Sequence, residues 1–393
     1  MKKIFTSESV NIGHPDKTCD TIADAFLDEA LRQDKFAQMA VECAIKNNNL
    51  FIYGEATTTA KIDYENIARE VLKEVGYAEE FNIIKVISEQ SPDINQATVG
   101  KVFNANDQGM TFGYATNETK ELMPLSIMVA HSLMKKFEEF RKKNKNYHAD
   151  AKSEVSVEYN DDGTISLDTI VVSVSHTEDI SNEQIETDIM EYVVEPVLEE
   201  YEEFDNKEIK FLINTSGRFT VWGSYGDSGC VGRKIIVDTY GGACPVGGGC
   251  FSSKNATKVD RSGAYYARFV AKNIVHYGLA DKCEVGLAFA IGKPKPIGMF
   301  VETFNTNHVS QSEIEKFVNY NFDFSINNMI EELDLLRPIY KQTACYGHFG
   351  REEFPWEKIK KIDYKIAIIC KKYKKCRKFF INSLNLEKYA KNN

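Results

Sequence analysis

A chain of 393 residues is too long for one small core, so its length points to two or three domains. It is 43% hydrophobic and 27% charged, an ordinary globular balance, and a net charge of −10 excludes a general nucleic-acid or membrane binder. Nine scattered cysteines without a C-x-x-C pair exclude a disulfide framework and a zinc site, and point to reduced thiols in the cytoplasm.

The opening MKKIFTSESV lacks the apolar run of a secretory signal, and no later stretch reaches membrane-spanning length. Residues 17–32 place Cys19, Ile22, Ala23, Phe26, Leu27, Ala30 and Leu31 at helical spacing. Two β-rich runs, 39–45 and 50–58, flank the turn-prone Asn47-Asn48-Asn49, and a helix over 63–75 and a strand over 83–88 follow. The order recurs: helix 122–142 with Pro124 in its first turn, strands 155–159 and 165–175, helix 181–199, strand 209–213. A third round has helix 256–277, strands 284–291 and 298–304, and helix 310–320. The fold class this predicts is α+β, with three units on antiparallel or mixed sheets packed by helices. From residue 358 the tail is lysine-rich, with Lys371, Lys372, Lys374, Lys375 and Arg377, and reads as a solvated face or frayed terminus.

Residues 223–263 hold ten of the 24 glycines, interleaved with Arg233, Lys234, Lys254, Lys258 and Arg261 and with Asp227, Asp238 and Asp260. Glycines let backbone N–H groups close on a ligand, fixed cations neutralise it, and carboxylates among cations suit a divalent metal. A polyphosphate with its metal ions satisfies all three residue classes; a solvated glycine-rich loop leaves the mixture unexplained. Within it, 248–254 fails as a Walker motif, since Ser253 and Asn255 replace the required glycine and Ser or Thr. Gly13-His14-Pro15-Asp16-Lys17 opens the first helix, where N–H groups favour an anion; capping alone accounts for Pro15 and Asp16 but not for His14 or Lys17. Residues 104–109 read as a turn. Glu42 and Glu55 fall in strand positions where core residues are expected, so each either has a partner or points outward.

Together these stretches resemble the S-adenosylmethionine synthetase family. The likeness rests on GHPDK at 13–17, SPDINQ at 91–96, DQGMTFGYATNET at 107–119, DAKSEV at 150–155, GRKIIVDTYGG at 232–242 and GGGCFSSKNATKVDRS at 247–262. It runs from Phe5 to Arg351. The resemblance implies three α+β units of approximate threefold symmetry, at 2–100, 104–221 and 222–360, with a lysine-rich extension at 361–393. It implies a homodimer or dimer of dimers with shared active sites, no nucleic-acid or membrane partner, and ATP and L-methionine as substrates. In that chemistry the methionine thioether attacks ribose C5′, and the released triphosphate is hydrolysed to phosphate and pyrophosphate.

By the same resemblance His14 donates to the departing oxygen, and Lys152, Arg233, Lys234 and Lys254 grip the phosphates. Asp16 and Asp260 correspond to Mg2+ ligands, a pair of ions per site, and Glu42 to the K+ ligand. Glu55, Gln96, Asp107 and Lys258 map to the methionine site, with Asp227 between the substrates, and Asp150, Arg218, Phe219 and Cys250 line the nucleotide site. His14, Lys152, Asp227, Arg233 and Lys254 are the expected catalytic set. Asn106, Val246, Cys250, Ser253 and Asn255 depart from the usual pattern, and the 96–107 segment is shorter than the loop that covers the site in bacterial members, so incomplete closure is expected. Two alternatives stay open: a kinase or ligase on the same cleft, which would release ADP or AMP, and a non-catalytic subunit, which loss of the charged residues would have signalled.

Overall fold

The structure is a computed structural model that describes residues 3–89, 103–204 and 208–362. Gln96 and the lysine-rich tail beyond residue 362 lie outside the described residues, as does most of the 96–107 segment. Helix α1 (Pro15–Gln33) precedes the hairpin β2 (Gln38–Lys46) and β3 (Asn49–Thr57), then α2 (Tyr64–Val75) and β4 (Asn82–Ser88). The second round is α3 (Leu125–Arg141), β6 (Tyr147–Tyr159), β7 (Ile165–His176), α4 (Asn182–Ile189), α5 (Glu195–Glu200) and β8 (Lys210–Ile213). The third is α6 (Val259–His276), β10 (Lys282–Phe289), β11 (Gly298–Glu302) and α7 (Gln311–Asn321), with α8 (Ile326–Glu332) after it.

Local chemistry sets these boundaries. Asp63 caps α2 by accepting the Asn66 N–H, and Gly76 ends it in the left-handed region at φ 119°. Ser310 and Glu313 form a capping box on α7. Pro124 is the cap residue of α3 and not part of its first turn, because its extended ψ of 136° turns the chain into the helix. The single helix expected over 181–199 is interrupted by a π-helical turn at Met190–Val194. Pro196 follows it, where a missing N–H and a crowding ring break the regular ladder.

Three strands escaped the sequence reading, and they join the units. Strand β1 (Lys3–Val10) pairs antiparallel with β6 of the second round, from Lys3↔Tyr159 to Val10↔Lys152. Strand β5 (Gly109–Thr116) pairs with β10 of the third, and β9 (Gly229–Cys230) pairs with β2 of the first. The sheets are thus β1-β6-β7-β8, β11-β10-β5 and β4-β3-β2-β9. Each unit lends the strand before its first helix to the next, a cyclic exchange that makes the three interdependent. Helices α1, α3 and α6 bury apolar faces on these sheets in one continuous core.

Candidate active site

The β9–β2 pairing brings the 228–234 loop against the start of α1. The approach is close: a Cβ on Gly229 would lie 2.2 Å from the Pro15 carbonyl oxygen, so only glycine fits. His14 caps α1, its Nδ1 accepting the Asp16 N–H at 3.2 Å. Nδ1 therefore carries no proton, and Nε2 is the N–H donor. Burial, then the nearby Lys234 ammonium, hold the His14 pKa down at about 3, so the imidazole is neutral at physiological pH. Asp16 accepts the Cys230 N–H at 3.0 Å and the Lys234 ammonium at 2.7 Å, with Arg233 at 3.5 Å. Lys17, by contrast, is wholly buried and paired with Asp20 and Asp238, a core role.

Strand β6 runs longer than expected and carries Asp150 and Lys152, which together with Asp227 act electrostatically on His14 or on one another. Asp150 is buried; Oδ2 accepts the Gly223 N–H at 2.9 Å, while Oδ1 has no hydrogen-bond partner. An orphaned buried carboxylate oxygen beside cations is a ready acceptor for a ligand hydroxyl. Burial pushes the Asp150 carboxyl up to about 6. Its charge therefore opposes folding increasingly as pH rises from the unfolded value to about 6. Catalytically the sign is reversed if the ionised form accepts the ligand: kcat/KM for ATP is predicted to fall as pH drops through about 6, and Asp150→Asn should abolish that inflection. An unchanged acid limb in the variant would rule Asp150 out. The Phe219 N–H donates to His176 Nε2 at 3.1 Å, and Arg218, 69% exposed, pairs with Glu178.

A second group gathers around the 247–260 segment. Gly247 approaches the Met110 carbonyl and Gly249 the Asp260 carboxylate so closely that a Cβ would lie 1.6 and 2.1 Å from them. Lys254 Nζ donates to Asp260 Oδ2 at 2.6 Å, and its backbone bridges Ala40 on β2. Ala40 is also the register partner of Glu55. Burial and the Lys254 ammonium lower the Lys258 pKa, against the carboxylates of Glu55 and Asp107, which places all four in one electrostatic neighbourhood. Glu42 accepts the Tyr53 hydroxyl at 3.3 Å. Neither Glu42 nor Glu55 occupies a core position; alternation sets both opposite the buried Met39, Val41, Cys43 and Ile45. The two groups adjoin where Gly232 faces Cys250, whose Cβ would lie 2.4 Å from one built on the glycine.

The oxygen donors suit Mg2+ rather than a thiolate-bound metal. Among the described residues no three His, Cys, Asp or Glu side chains converge to hold an ion unaided. A single carboxylate with a neighbouring ammonium, as at Asp16 and at Asp260, fits a metal whose remaining ligands come from phosphate and water. A separate cleft of about 870 Å³, between residues 117–122 and the C-terminal end of α6, contains none of the predicted site residues.

Sequence reasoning missed Asp20, Asp24 and Asp28. The signal was present: with Asp16 they recur every fourth residue along α1, a row of carboxylates in a helix buried along most of its length.

Residues 2–92, 102–219 and 221–358 match the models of the N-terminal, central and C-terminal domains of S-adenosylmethionine synthetase. The chain is 47% identical over 377 residues to the S-adenosylmethionine synthase of Mesoplasma florum, covering 92% of this chain and 99% of that protein. It is 46% identical over 387 residues to the Mycoplasma capricolum protein of that name, covering 95% and 98%, and 48% identical over 374 residues to the one from a Sulfurovum species, covering 92% and 97%.

Proposed function

The chain belongs to the S-adenosylmethionine synthetase family, and on that premise we propose how its residues join ATP to L-methionine. As a methionine adenosyltransferase it makes S-adenosylmethionine. The sulfur lone pair attacks ribose C5′, the C5′–O bond breaks, and its electron pair leaves on the triphosphate. The nucleophile is neutral and the product is a sulfonium, so no general base is needed; the barrier lies in the charge growing on the leaving oxygen. The triphosphate is then hydrolysed at the same site to phosphate and pyrophosphate.

The observation that carries this reading is a neutral, buried His14 whose only proton-bearing nitrogen is Nε2, beside Lys152 and Lys234. It donates to the departing oxygen without bringing a full charge into contact with the ribose. Arg233, Lys234, Lys152 and Lys254 hold the phosphates. Asp150, Phe219, Cys250 and Arg218 bound the nucleotide site, and Asp150 Oδ1 accepts a hydroxyl of it. Glu55, Asp107 and Lys258, with Gln96, take methionine, whose ammonium suits the two carboxylates and whose carboxylate suits the lysine. Asp227 lies between the substrates and stabilises the developing sulfonium. Asp16 and Asp260 would hold a pair of Mg2+ ions, and Glu42 a K+. When bound, such cations neutralise polyphosphate charge.

Purified protein with ATP, methionine and Mg2+ should yield a sulfonium of the mass of S-adenosylmethionine, with phosphate, pyrophosphate and no ADP. Omitting the divalent metal should abolish it. Potassium should accelerate the reaction over sodium, and Glu42→Met should remove that response. Folded protein that forms ADP, or no sulfonium, overturns the reading, and equal rates in both monovalent salts overturn the Glu42 assignment.

A homodimer working in the cytoplasm completes the proposal. Phe51, Ile84 and Val86 are exposed on one face of the β4-β3-β2-β9 sheet, where the register sets Phe51 beside Ile84 and Tyr53 beside Val86. Glu42 and Glu55 share that face, so a second copy seated there would cover them. Ile84→Lys should yield monomers of low activity in light scattering and assay. A fully active monomer would argue that each site is built within one chain. The described helices include none long and apolar enough to cross a membrane.

A further inference from the structure

Four aspartates on α1 each take backbone N–H groups from a loop far away in sequence. Asp16 accepts from Cys230 at 3.0 Å, Asp20 from Gly232 at 2.9 Å, Asp24 from Ser253 at 3.0 Å, and Asp28 from Tyr340 and Lys341 at 2.9 and 3.0 Å. Asp24 differs from the rest in what surrounds it. Its carboxylate is wholly buried and is also gripped by both terminal nitrogens of Arg261, each at 2.8 Å. The same guanidinium donates to the Lys254 carbonyl at 3.1 Å and to Thr343 Oγ1 at 3.0 Å, while its Nε donates to the Tyr265 hydroxyl at 2.9 Å. All the polar capacity of Arg261 is thus committed to fixed partners, and one of them is the main chain of Lys254.

The backbone on either side of Lys254 is therefore clamped: the Ser253 N–H by Asp24, the Lys254 carbonyl by Arg261. The clamp holds an unfavourable shape. Ser253 has φ +77°, a left-handed conformation that is unfavourable for a residue with a side chain. Asp260, which receives the Lys254 ammonium, immediately precedes Arg261, so one ion pair sets both ends of that contact.

We propose that the buried Asp24–Arg261 pair is a positioning device for Lys254, holding its main chain so that the ammonium meets the leaving triphosphate. The inference rests on the assignment of Lys254 to the phosphate site. Asp24 and Arg261 act through Lys254 alone, without touching substrate.

A double-mutant cycle tests it. Asp24→Asn keeps an oxygen for the Ser253 N–H and removes the bidentate grip on Arg261. It should lower kcat by about 10- to 100-fold, the scale of a small misplacement, with KM for methionine changed less than about twofold. In the Lys254→Ala background the same change should cost almost nothing further, because the group it positions is gone. Adding Ser253→Gly to Asp24→Asn should recover part of the lost kcat, since glycine holds φ +77° without help. If Asp24→Asn does not fold, Arg261→Lys keeps a buried cation against Asp24 but cannot span its other partners, and it enters the same cycle. Equal losses of kcat in both backgrounds, with the Lys254→Ala enzyme itself slow, overturn the positioning role alone. Wild-type turnover in Lys254→Ala overturns the assignment of Lys254 and this proposal together.

Discussion

His14→Ala and Lys254→Ala are each expected to lower kcat by about 10²-fold or more while KM for methionine moves far less, the usual scale for losing one preorganised electrostatic donor. The two should fail for different reasons. In the proposed mechanism His14 combines two tasks: Nδ1 caps α1 at Asp16, which leaves the Nε2 N–H to serve as the donor. Its pKa of about 3 means that the donor stays neutral across the working range, so His14 itself should add no inflection near the ordinary histidine value of about 6.5, and the acid limb near pH 6 predicted from Asp150 should survive in His14→Asn. His14→Asn separates the tasks, because its amide can cap the helix and still present an N–H. It should fold as stably as wild type and retain more activity than alanine. Lys254 lies in the charged pair with Asp260, so alanine there removes the cation proposed to hold phosphate and leaves Asp260 without its partner. A single-turnover assay with saturating substrates measures the effect on chemistry. Normal turnover in either variant would remove that residue from the mechanism.

The largest effect on stability is expected at Glu357. Its carboxylate is completely buried and takes Arg268 through two bonds of 2.9 Å, Lys272 at 2.7 Å and the Gly350 N–H at 2.9 Å. Arg268 in turn donates to the carbonyls of Tyr114, Glu121 and Leu122, so the cluster ties α6 to β5 and to the approach to α3. Glu357→Ala leaves two buried cations facing no anion, and breaking a pair in this way costs about 3–5 kcal/mol. Urea denaturation should show a loss of that size or a chain that no longer folds. A loss below about 1 kcal/mol would mean that water reaches the cluster. Burial alone would raise the Glu357 pKa, but Arg268 and Lys272 outweigh it and hold the carboxyl below its usual range. The contribution is therefore complete above the unfolded value and disappears as pH falls through the depressed folded one.

Much of this protein was legible in one dimension because the physics is local. Apolar spacing marked α1 and α6, alternation marked β2 and β3, and the Asn47-Asn48-Asn49 turn marked their hairpin. The glycine-rich, doubly charged stretch pointed to a polyphosphate ligand, since residue types say what chemistry a ligand must have to satisfy them. Periodicity could not say which face a carboxylate takes: Glu42 and Glu55 looked misplaced in core strands, and register put them on the opposite side.

Tertiary structure alone decided the rest. Strands β1, β5 and β9 are short or weakly patterned, and all three end up at sheet edges, so each acquires its pairing only from a partner in another unit. No local signal encodes a ladder that joins Ala44 to Cys230. The same holds for charge. The sequence showed an aspartate at every fourth position of α1, but a carboxylate on a helix is by default a solvated group. Only the closure of the chain, which brings Arg261 across 237 positions to Asp24, removes the water and turns that row into an internal scaffold.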